Sequence, residues 1–220
     1  MVTIDRIELF FDFISPYSYL AWPRVRALCA RRGLDLVLHP VLFAALLDHA
    51  GQLGPAEIPE KRAWLVQDCL RLAALDGVPF TFPAHHPFNP LTALRMALRI
   101  VAGEEQEAVV GAIWDAGWRA GVDLGSPEAL VAALDARGLD GRRLLARASE
   151  PAAKEALRQE TAAAIARGVF GVPTMIAGDT LFWGNDRLEH LALVLDGRDP
   201  LDRVRAAELL TRTPSAVRPR

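Results

Sequence analysis

Cysteine is scarce in this sequence, with two residues in 220, Cys29 and Cys69. Neither has a second cysteine nearby, so the chain contains no Cys-x-x-Cys motif and no half of a zinc knuckle. We expect both cysteines to be small, buried apolar side chains. The neighbouring His85 and His86 have no carboxylate at metal-ligand spacing, so we expect no metal site.

The sequence also lacks an excess of either charge and any long apolar run. A net charge of -2 gives no reason to expect nucleic acid or an anionic membrane as partner. Asp5, Arg6, Glu8 and Asp12 interrupt the first thirteen residues, where a signal peptide would need an unbroken apolar stretch. Charges or prolines break the later apolar runs, so no transmembrane helix is expected and the expected location is the cytoplasm.

Apolar residues nevertheless make up 51% of the chain, which is enough for a folded core. Residues 4–13 are rich in β-branched and aromatic types and predict a strand that becomes buried on both faces towards its end. A helix is predicted from Ser15 to about Arg32, because a hydroxyl residue followed by proline marks its start and Gly33 its end. Residues 34–41 predict a second strand, so the chain opens as strand, helix and strand.

The middle of the chain has a different pattern, dominated by Ala, Leu, Arg and Glu with apolar residues at helical spacing. It predicts five or six helices, over about 60–76, 90–102, 105–120, 127–136, 140–148 and 151–167. Such a block inside an α/β pattern indicates an inserted helical domain. We therefore expect a discontinuous α/β domain formed by 1–43 and 168–220, and an inserted helical domain formed by 44–167.

The α/β pattern then resumes. Residues 173–177 and 180–183 predict two strands around a turn at Gly178 and Asp179, followed by a last helix at about 186–195. The arginine-rich end after Thr211 is expected to be a frayed tail.

The first candidate site is Ser15, at the junction of the first strand and helix. The free N–H groups and dipole of a helix N-terminus stabilise negative charge, and a serine hydroxyl adds a donor for a thiolate. On its own, Ser15 is better explained as a helix cap alone.

Two further candidates lie near the end of the chain. If the bond before Pro173 were cis, the backbone of Val172 could face an extended, peptide-like ligand, whereas an ordinary trans turn is the default. In Trp-Gly-Asn-Asp-Arg, Asn185 or Asp186 could cap the last helix, or a carboxylate could bind an ammonium group.

The order of these elements resembles the thioredoxin superfamily, and the place of the insert resembles its DsbA-like branch. We therefore expect an α/β, thioredoxin-like fold with a large all-α insertion. Ser15 and Ser18 occupy both positions at which redox members carry cysteine. Disulfide exchange requires a thiolate, so dithiol oxidoreductase activity is excluded.

More narrowly, the chain resembles the 2-hydroxychromene-2-carboxylate isomerases, relatives of the kappa-class glutathione transferases. The resemblance is carried by FFDFISPYSYLAWPRV (10–25), GQLGPAEIPEKRAWLVQD (51–68), GVPFTFP (77–83) and GVFGVPTMIAGDTLFWGNDRLE (168–189). It implies glutathione as cofactor, a small aromatic carboxylate as substrate, and a homodimer.

The resemblance also implies a role for individual residues. Ser15 matches the active-site serine held close to the glutathione sulfur. The remaining matches all concern binding of the tripeptide. Val172, before the presumed cis-Pro173, matches the residue whose backbone pairs with the cysteinyl part, and Asn185 and Asp186 match the positions that hold the γ-glutamyl end. Lys61 matches a lysine that reaches the glycine carboxylate, and Gln52 stands where related sequences carry asparagine.

The implied activity is isomerisation of a 2-hydroxychromene-2-carboxylate to a trans-arylidene-pyruvate through reversible thiolate addition. A kappa-like glutathione transferase, a redox-inactive glutathione-binding module and a structural interaction protein are the alternatives. Arg95 is a candidate partner for the substrate carboxylate. Candidate pocket-lining aromatics, most of which core packing would explain better, are Trp64, Phe80, Phe88, Trp114 and Trp118.

Overall fold

A computed structural model describes residues 4–213 and opens with a strand, a helix and a second strand, as predicted. These are β1 (Arg6–Phe11), α1 (Pro16–Arg32) and β2 (Asp35–Pro40). Gly33 ends α1 with φ +62°, a left-handed conformation that glycine adopts without strain. The predicted first helix is confirmed to within a residue at each end.

The chain between β2 and the third strand is helical. Its α-helices are α2 (Phe43–Ala50), α3 (Pro59–Asp76), α4 (Leu91–Met96), α5 (Arg99–Ala102), α6 (Gln106–Trp114), α7 (Pro127–Asp135), α8 (Gly141–Ala148) and α9 (Pro151–Ala166). The helix expected over 90–102 is divided, because Leu98 is extended, with ψ 141°. The helix expected over 105–120 continues beyond α6 as a π-helical turn, Asp115–Arg119.

The sequence pattern did not predict α2, because its N-terminal cap is not local. Leu42 precedes the helix and supplies no side-chain cap. Instead, the Oδ2 atom of Asp12 accepts a hydrogen bond of 2.9 Å from the N–H of Phe43. A cap from a residue on another element leaves no mark in the neighbouring sequence.

The four strands form one mixed sheet in the order β2-β1-β3-β4, with β3 at Thr174–Ala177 and β4 at Thr180–Trp183. β1 pairs with β2 in parallel and with β3 antiparallel, and β3 and β4 form a hairpin. The hairpin turns at Gly178, whose φ is +62°. The sheet therefore brings the end of β1 beside the start of β3, although the helical block separates them in sequence.

Both faces of β1 are buried, as its pattern predicted. Ile7, Leu9 and Phe11 belong to the larger core cluster, which includes side chains of α1 and of the helical block. Phe10 lies on the other face, in a smaller cluster with Ala164 of α9 and other apolar residues. The alternation follows from the two-residue period of a strand.

The chain ends with α10 (Leu188–Leu195), after a short 3-10 turn at Asn185–Arg187, and with α11 (Arg203–Leu210). The pattern missed α11, although Asp202 caps it locally. Most of the tail expected to fray after Thr211 lies outside the described residues. Within residues 4–213, no helix has the length and apolar character needed to cross a bilayer.

Candidate functional site

A cavity of about 410 Å³ lies where the end of β1 and the start of α1 meet α2 and two loops. Ser15 and Val172, from two separate candidate motifs, both line it. The rest of its wall is mainly apolar and includes Leu47, Phe88 and Leu65. The fold thus places the first and second candidate motifs in one pocket.

Ser15 both caps α1 and faces this pocket, so its two interpretations are compatible. Its Oγ accepts a hydrogen bond of 3.2 Å from the N–H of Ser18. A hydroxyl that accepts in this way keeps its own proton for donation. Ser15 is 6% exposed, so a donor directed into the pocket acts where water competes little.

Asp12 is a buried carboxyl group in the wall of the same pocket, and the sequence pattern did not single it out. Its Oδ1 accepts from the N–H of Ile14 at 3.0 Å and its Oδ2 from Phe43 at 2.9 Å. Burial raises the pKa of Asp12 to about 7, against the lowering effect of these two hydrogen bonds. An acidic residue in the otherwise apolar run Phe10 to Ile14, directly after β1, was the signal available in the sequence.

Val172 precedes Pro173, and the peptide bond between them is cis. Among residues 4–213, neither the N–H nor the C=O of Val172 makes a hydrogen bond. A free donor and a free acceptor at the edge of a pocket suit an extended peptide ligand, which can pair with both.

The third candidate motif, Trp-Gly-Asn-Asp-Arg at 183–187, lies directly beside Pro173. The N–H of Gly184 donates a hydrogen bond of 2.9 Å to the Pro173 carbonyl. Asn185 is buried, and its Oδ1 accepts from Arg24 at 3.3 Å. Its Nδ2 has no hydrogen-bond partner in the described part of the chain. Asp186 is exposed, with an ion pair to Arg187 at 3.1 Å.

The structure does not support the interpretation that Asn185 or Asp186 caps the last helix. Neither the 3-10 turn nor α10 receives a hydrogen bond from a capping side chain. Asn185 and Asp186 are therefore not explained as caps.

Gln52 and Lys61 are both exposed and lie outside the pocket lining. Gln52 follows α2, and Lys61 lies in the first turn of α3. The segment between them does line the pocket, from Gly54 to Glu57. The two residues thus flank in sequence a segment that lines the pocket, while Ser15 and Val172 lie within the wall.

Of the candidate aromatic lining residues, only Phe88 lines this pocket. Trp114 and Trp118 are fully buried in the core, and Phe80 stacks on Trp118. Trp64 is exposed. The two buried tryptophans are therefore explained by core packing, which was the alternative to a role in lining the pocket.

Arg95 does not line the pocket either. It lies half-buried on α4, and its Nε has no hydrogen-bond partner in the described chain. The structure therefore does not place Arg95 in the pocket wall beside Ser15.

His86 is a second pocket residue that the sequence analysis did not assign. Its Nε2 lies 3.0 Å from the carbonyl oxygen of Ile14, so Nε2 carries the proton and Nδ1 does not. Burial lowers the pKa of His86, with a further lowering effect from the charge of Arg62. His86 is therefore a neutral imidazole in the pocket wall.

Tyr17 also lines the pocket and joins α1 to α3. Its hydroxyl donates to Oδ2 of Asp68 at 2.8 Å. Burial, and then the neighbouring Asp68, raise the pKa of Tyr17 well above its usual range. Tyr17 is therefore a fixed neutral donor that holds the two helices together.

A larger open groove of about 890 Å³ lies on another side of α1. Several of its charged side chains pair with one another, including Arg26 with Glu107 at 2.6 Å and Arg137 with Asp115. Ser15 and Val172 are not part of it. The smaller cavity is therefore the better candidate site, because it contains the residues of two candidate motifs.

Both cysteines are buried, as expected, and burial raises the pKa of Cys29 to about 11 and that of Cys69 to about 12. Neither thiol ionises readily near neutral pH. Within the described ranges, no three His, Cys, Asp or Glu side chains are grouped so that they could hold a metal ion.

This fold, together with a pocket at the start of the first helix, is typical of the DsbA-like thioredoxin class. The chain matches the DsbA-like thioredoxin domain over residues 6–196. A serine at the helix start distinguishes it from the dithiol members of that class.

Within this class, the chain belongs to the 2-hydroxychromene-2-carboxylate isomerase family. It is 35% identical to the 2-hydroxychromene-2-carboxylate isomerase of Sphingobium xenophagum over 84% of this chain and 95% of that protein. A solved structure of a 2-hydroxychromene-2-carboxylate isomerase superposes with a TM-score of 0.77, at 30% identity, covering 94% of this chain and 99% of the other. Glutathione S-transferase kappa 1 of Rattus norvegicus is 31% identical over 86% of this chain and 90% of that protein.

Proposed function

We propose that the protein is a glutathione-dependent isomerase that converts a 2-hydroxychromene-2-carboxylate-type substrate to the trans-arylidene-pyruvate. The observation that carries the proposal is the hydroxyl of Ser15, whose proton is free for donation in a pocket that also contains Val172. A serine there can stabilise an external thiolate but cannot form a disulfide.

The residues present fit glutathione. The tripeptide has two carboxylates, one ammonium group and one thiol. The unpaired backbone groups of Val172 suit its extended cysteinyl part. Asn185 has a buried, unpartnered Nδ2 for the γ-glutamyl carboxylate, and the exposed Asp186 suits the ammonium group.

Lys61 and Gln52 complete the proposed binding set. Lys61 is exposed at the start of α3 and suits the glycine carboxylate. Gln52 follows α2 and stands where related sequences carry asparagine, so it offers an amide to the tripeptide.

When bound, glutathione supplies a thiolate that adds reversibly to the conjugated carbon, so that the double bond becomes a single bond and can rotate. The protein must stabilise the ionised sulfur and exclude water from the bound substrate. Ser15 donates a hydrogen bond towards the sulfur, and the helix dipole at the start of α1 adds a partial positive charge. The apolar wall, including Leu47 and Phe88, excludes water from the reacting carbon.

Replacement of Ser15 by alanine tests this role. Ser15→Ala removes one hydrogen bond to a charged sulfur, so turnover should fall roughly ten- to a hundredfold. The pKa of bound glutathione, followed by the ultraviolet absorbance of its thiolate, should rise in the same variant. Ser18→Ala is the matched control, since the buried Ser18 Oγ has no partner in the described chain. An unchanged rate and thiol pKa in Ser15→Ala would refute the role.

The second candidate function is conjugation, favoured by the similarity to the kappa-class transferase. Product analysis separates the two: an isomerase returns its glutathione, whereas a transferase consumes it in proportion to product. Calorimetric binding of glutathione without turnover of any chromene or electrophile would instead indicate a redox-inactive binding module.

We also propose that the protein works in the cytoplasm as a homodimer. A supply of reduced glutathione and two unpaired cysteines suit a reducing compartment. Cell fractionation tests the location, and light scattering coupled to size-exclusion chromatography tests the assembly.

A further inference from the structure

The proposed substrate carries a carboxylate, yet the pocket beside Ser15 offers it no positive charge. Among the described residues, no lysine or arginine lines this cavity. Its ionisable wall groups are two acids, Asp12 and Glu57, together with the neutral His86 and Tyr17. An unpaired carboxylate in such a wall would lose its hydration without gaining a cationic partner.

The aryl part of the substrate, by contrast, matches the cavity well. Leu47, Leu65 and Phe88 present apolar surface to it. The substrate is therefore best accommodated with its aryl end inside and its carboxylate at the rim.

Arg62 is the cation placed to receive that carboxylate. It lies in the first turn of α3, and its Nη2 is 3.5 Å from the carbonyl oxygen of His86. Arg62 lines a smaller cavity of about 290 Å³, and Leu65 and His86 line both this cavity and the main pocket. The guanidinium thus lies just beyond the wall of the main pocket.

The guanidinium of Arg62 is also available for binding. In the part of the chain that the structure describes, no carboxylate lies within 4.0 Å of it. Its one hydrogen bond, to His86, is long at 3.5 Å. A planar guanidinium with free donors can bind a carboxylate with two parallel hydrogen bonds.

We propose that Arg62 binds the carboxylate of the substrate at the rim and thereby determines specificity for arylidene carboxylates. The inference rests on the proposed isomerase function and deepens it. Lys61, next to Arg62, has a separate role in that proposal, because adjacent residues on a helix point about 100° apart.

The kinetic test uses two substrates that differ in the group on the ketone, a carboxylate or a methyl: the cis isomers of benzylidene-pyruvate and of the neutral benzylideneacetone. Arg62→Gln should raise the KM for the carboxylate roughly fivefold, as expected for an exposed ion pair, and leave that for the ketone unchanged. Arg62→Lys should restore part of the loss, because it keeps the charge without the planar fork. Arg71→Gln, on the exposed side of the same helix, is the matched control and should change neither KM.

A binding test does not depend on turnover. Phenylpropionate and phenylpropionamide have the same shape, differ in charge and cannot be isomerised. By calorimetry, Arg62→Gln should weaken binding of the carboxylate roughly fivefold and leave the amide unchanged. Equal effects on both compounds, or none on the carboxylate, would overturn the role of Arg62.

The two proposals can fail separately. If the wild-type protein turns over neither substrate, the isomerase function fails, and the binding comparison alone decides the role of Arg62. If both substrates turn over but Arg62→Gln leaves their KM values unchanged, the isomerase function stands and the role of Arg62 is refuted.

Discussion

Among single residues, Asp12 is the carboxyl group of the pocket wall whose pKa the fold raises. Its carboxyl is fully buried, and both oxygens accept backbone hydrogen bonds, from Ile14 and Phe43. Burial raises its pKa from 3.8 to about 7. The folded protein therefore holds this proton over a pH range in which the unfolded chain has lost it.

This difference predicts a pH-dependent stability. Between about pH 4 and 7 the folded state binds the additional proton, so the free energy of unfolding should fall as the pH rises. The contribution of Asp12 is at most about 1.4 kcal/mol per pH unit. Asp12→Asn does not titrate, so the stability of the wild type relative to the variant should decline over this range, as measured by urea unfolding at several pH values.

The exposed Asp5 provides the control for this measurement. Asp5→Asn should run parallel to the wild type across the same pH range. Asp12→Asn also replaces one of the two acceptor oxygens, which should add a pH-independent loss of about 1–3 kcal/mol to this changing difference. A constant difference between the wild type and Asp12→Asn would show that Asp12 titrates normally.

The residues of the candidate site differ in how far the sequence could predict them. Ser15 and Val172 were predicted from a helix start and an X-Pro bond, and both line the pocket. His86 was not assigned, because its place depends on a loop that folds against the carbonyl of Ile14. Arg62 was not assigned either, because a lysine and an arginine side by side on a helix look alike in sequence.

At the scale of elements, the contact between α7 and α8 depends on a glycine. A Cβ on Gly141 would lie 2.6 Å from the carbonyl oxygen of Val131 and 2.9 Å from its Cα. Both are backbone atoms and cannot rotate away. Gly141 therefore allows the two helices to approach more closely than any other residue would.

Gly141→Ala should accordingly lower the free energy of unfolding by about 1–3 kcal/mol, as overpacking does. The matched control is Gly111→Ala in α6, where the added Cβ would meet nothing closer than Trp22 at 3.9 Å. There alanine should be neutral or stabilising by up to about 1 kcal/mol, because it favours the helix. Chemical denaturation of both variants checks the prediction, and equal losses would contradict it.

Helices were predictable where their signals are local and were missed where they are not. The cap and proline of α1 and the Gly33 that ends it lie next to the helix in sequence. The cap of α2 comes from Asp12, so only the folded chain provides it. In α11 the local cap Asp202 was present but did not suffice for a prediction, since the helix has no buried face.

At the scale of the whole molecule, the strands and the helical block share one core. Phe11 and Phe13 pack against Trp114 of α6, with ring centroids 5.8 and 4.7 Å apart. The indole Nε1 of Trp118 donates to the carbonyl of Phe13 at 2.8 Å. These contacts cross the boundary expected between residues 1–43 and the inserted domain at 44–167.

We therefore predict that both parts of the chain unfold together. Urea denaturation should give a single transition, with tryptophan fluorescence and far-ultraviolet circular dichroism changing at the same midpoint. Neither part can keep its core without the other, because each supplies apolar surface that the other covers. Two separate midpoints would show that the two parts fold as independent domains.

By itself the sequence determined the strand and helix types, the class of fold and the loss of dithiol chemistry. These depend on periodicity, on local caps and on the residue types at two positions, all of which can be read along the chain. Only the tertiary structure decided that Ser15 and Val172 share a pocket, that Asp12 is a buried acid, and that Arg62 lines a neighbouring cavity. Those facts depend on distances between residues far apart in sequence, which exist only once the core has formed.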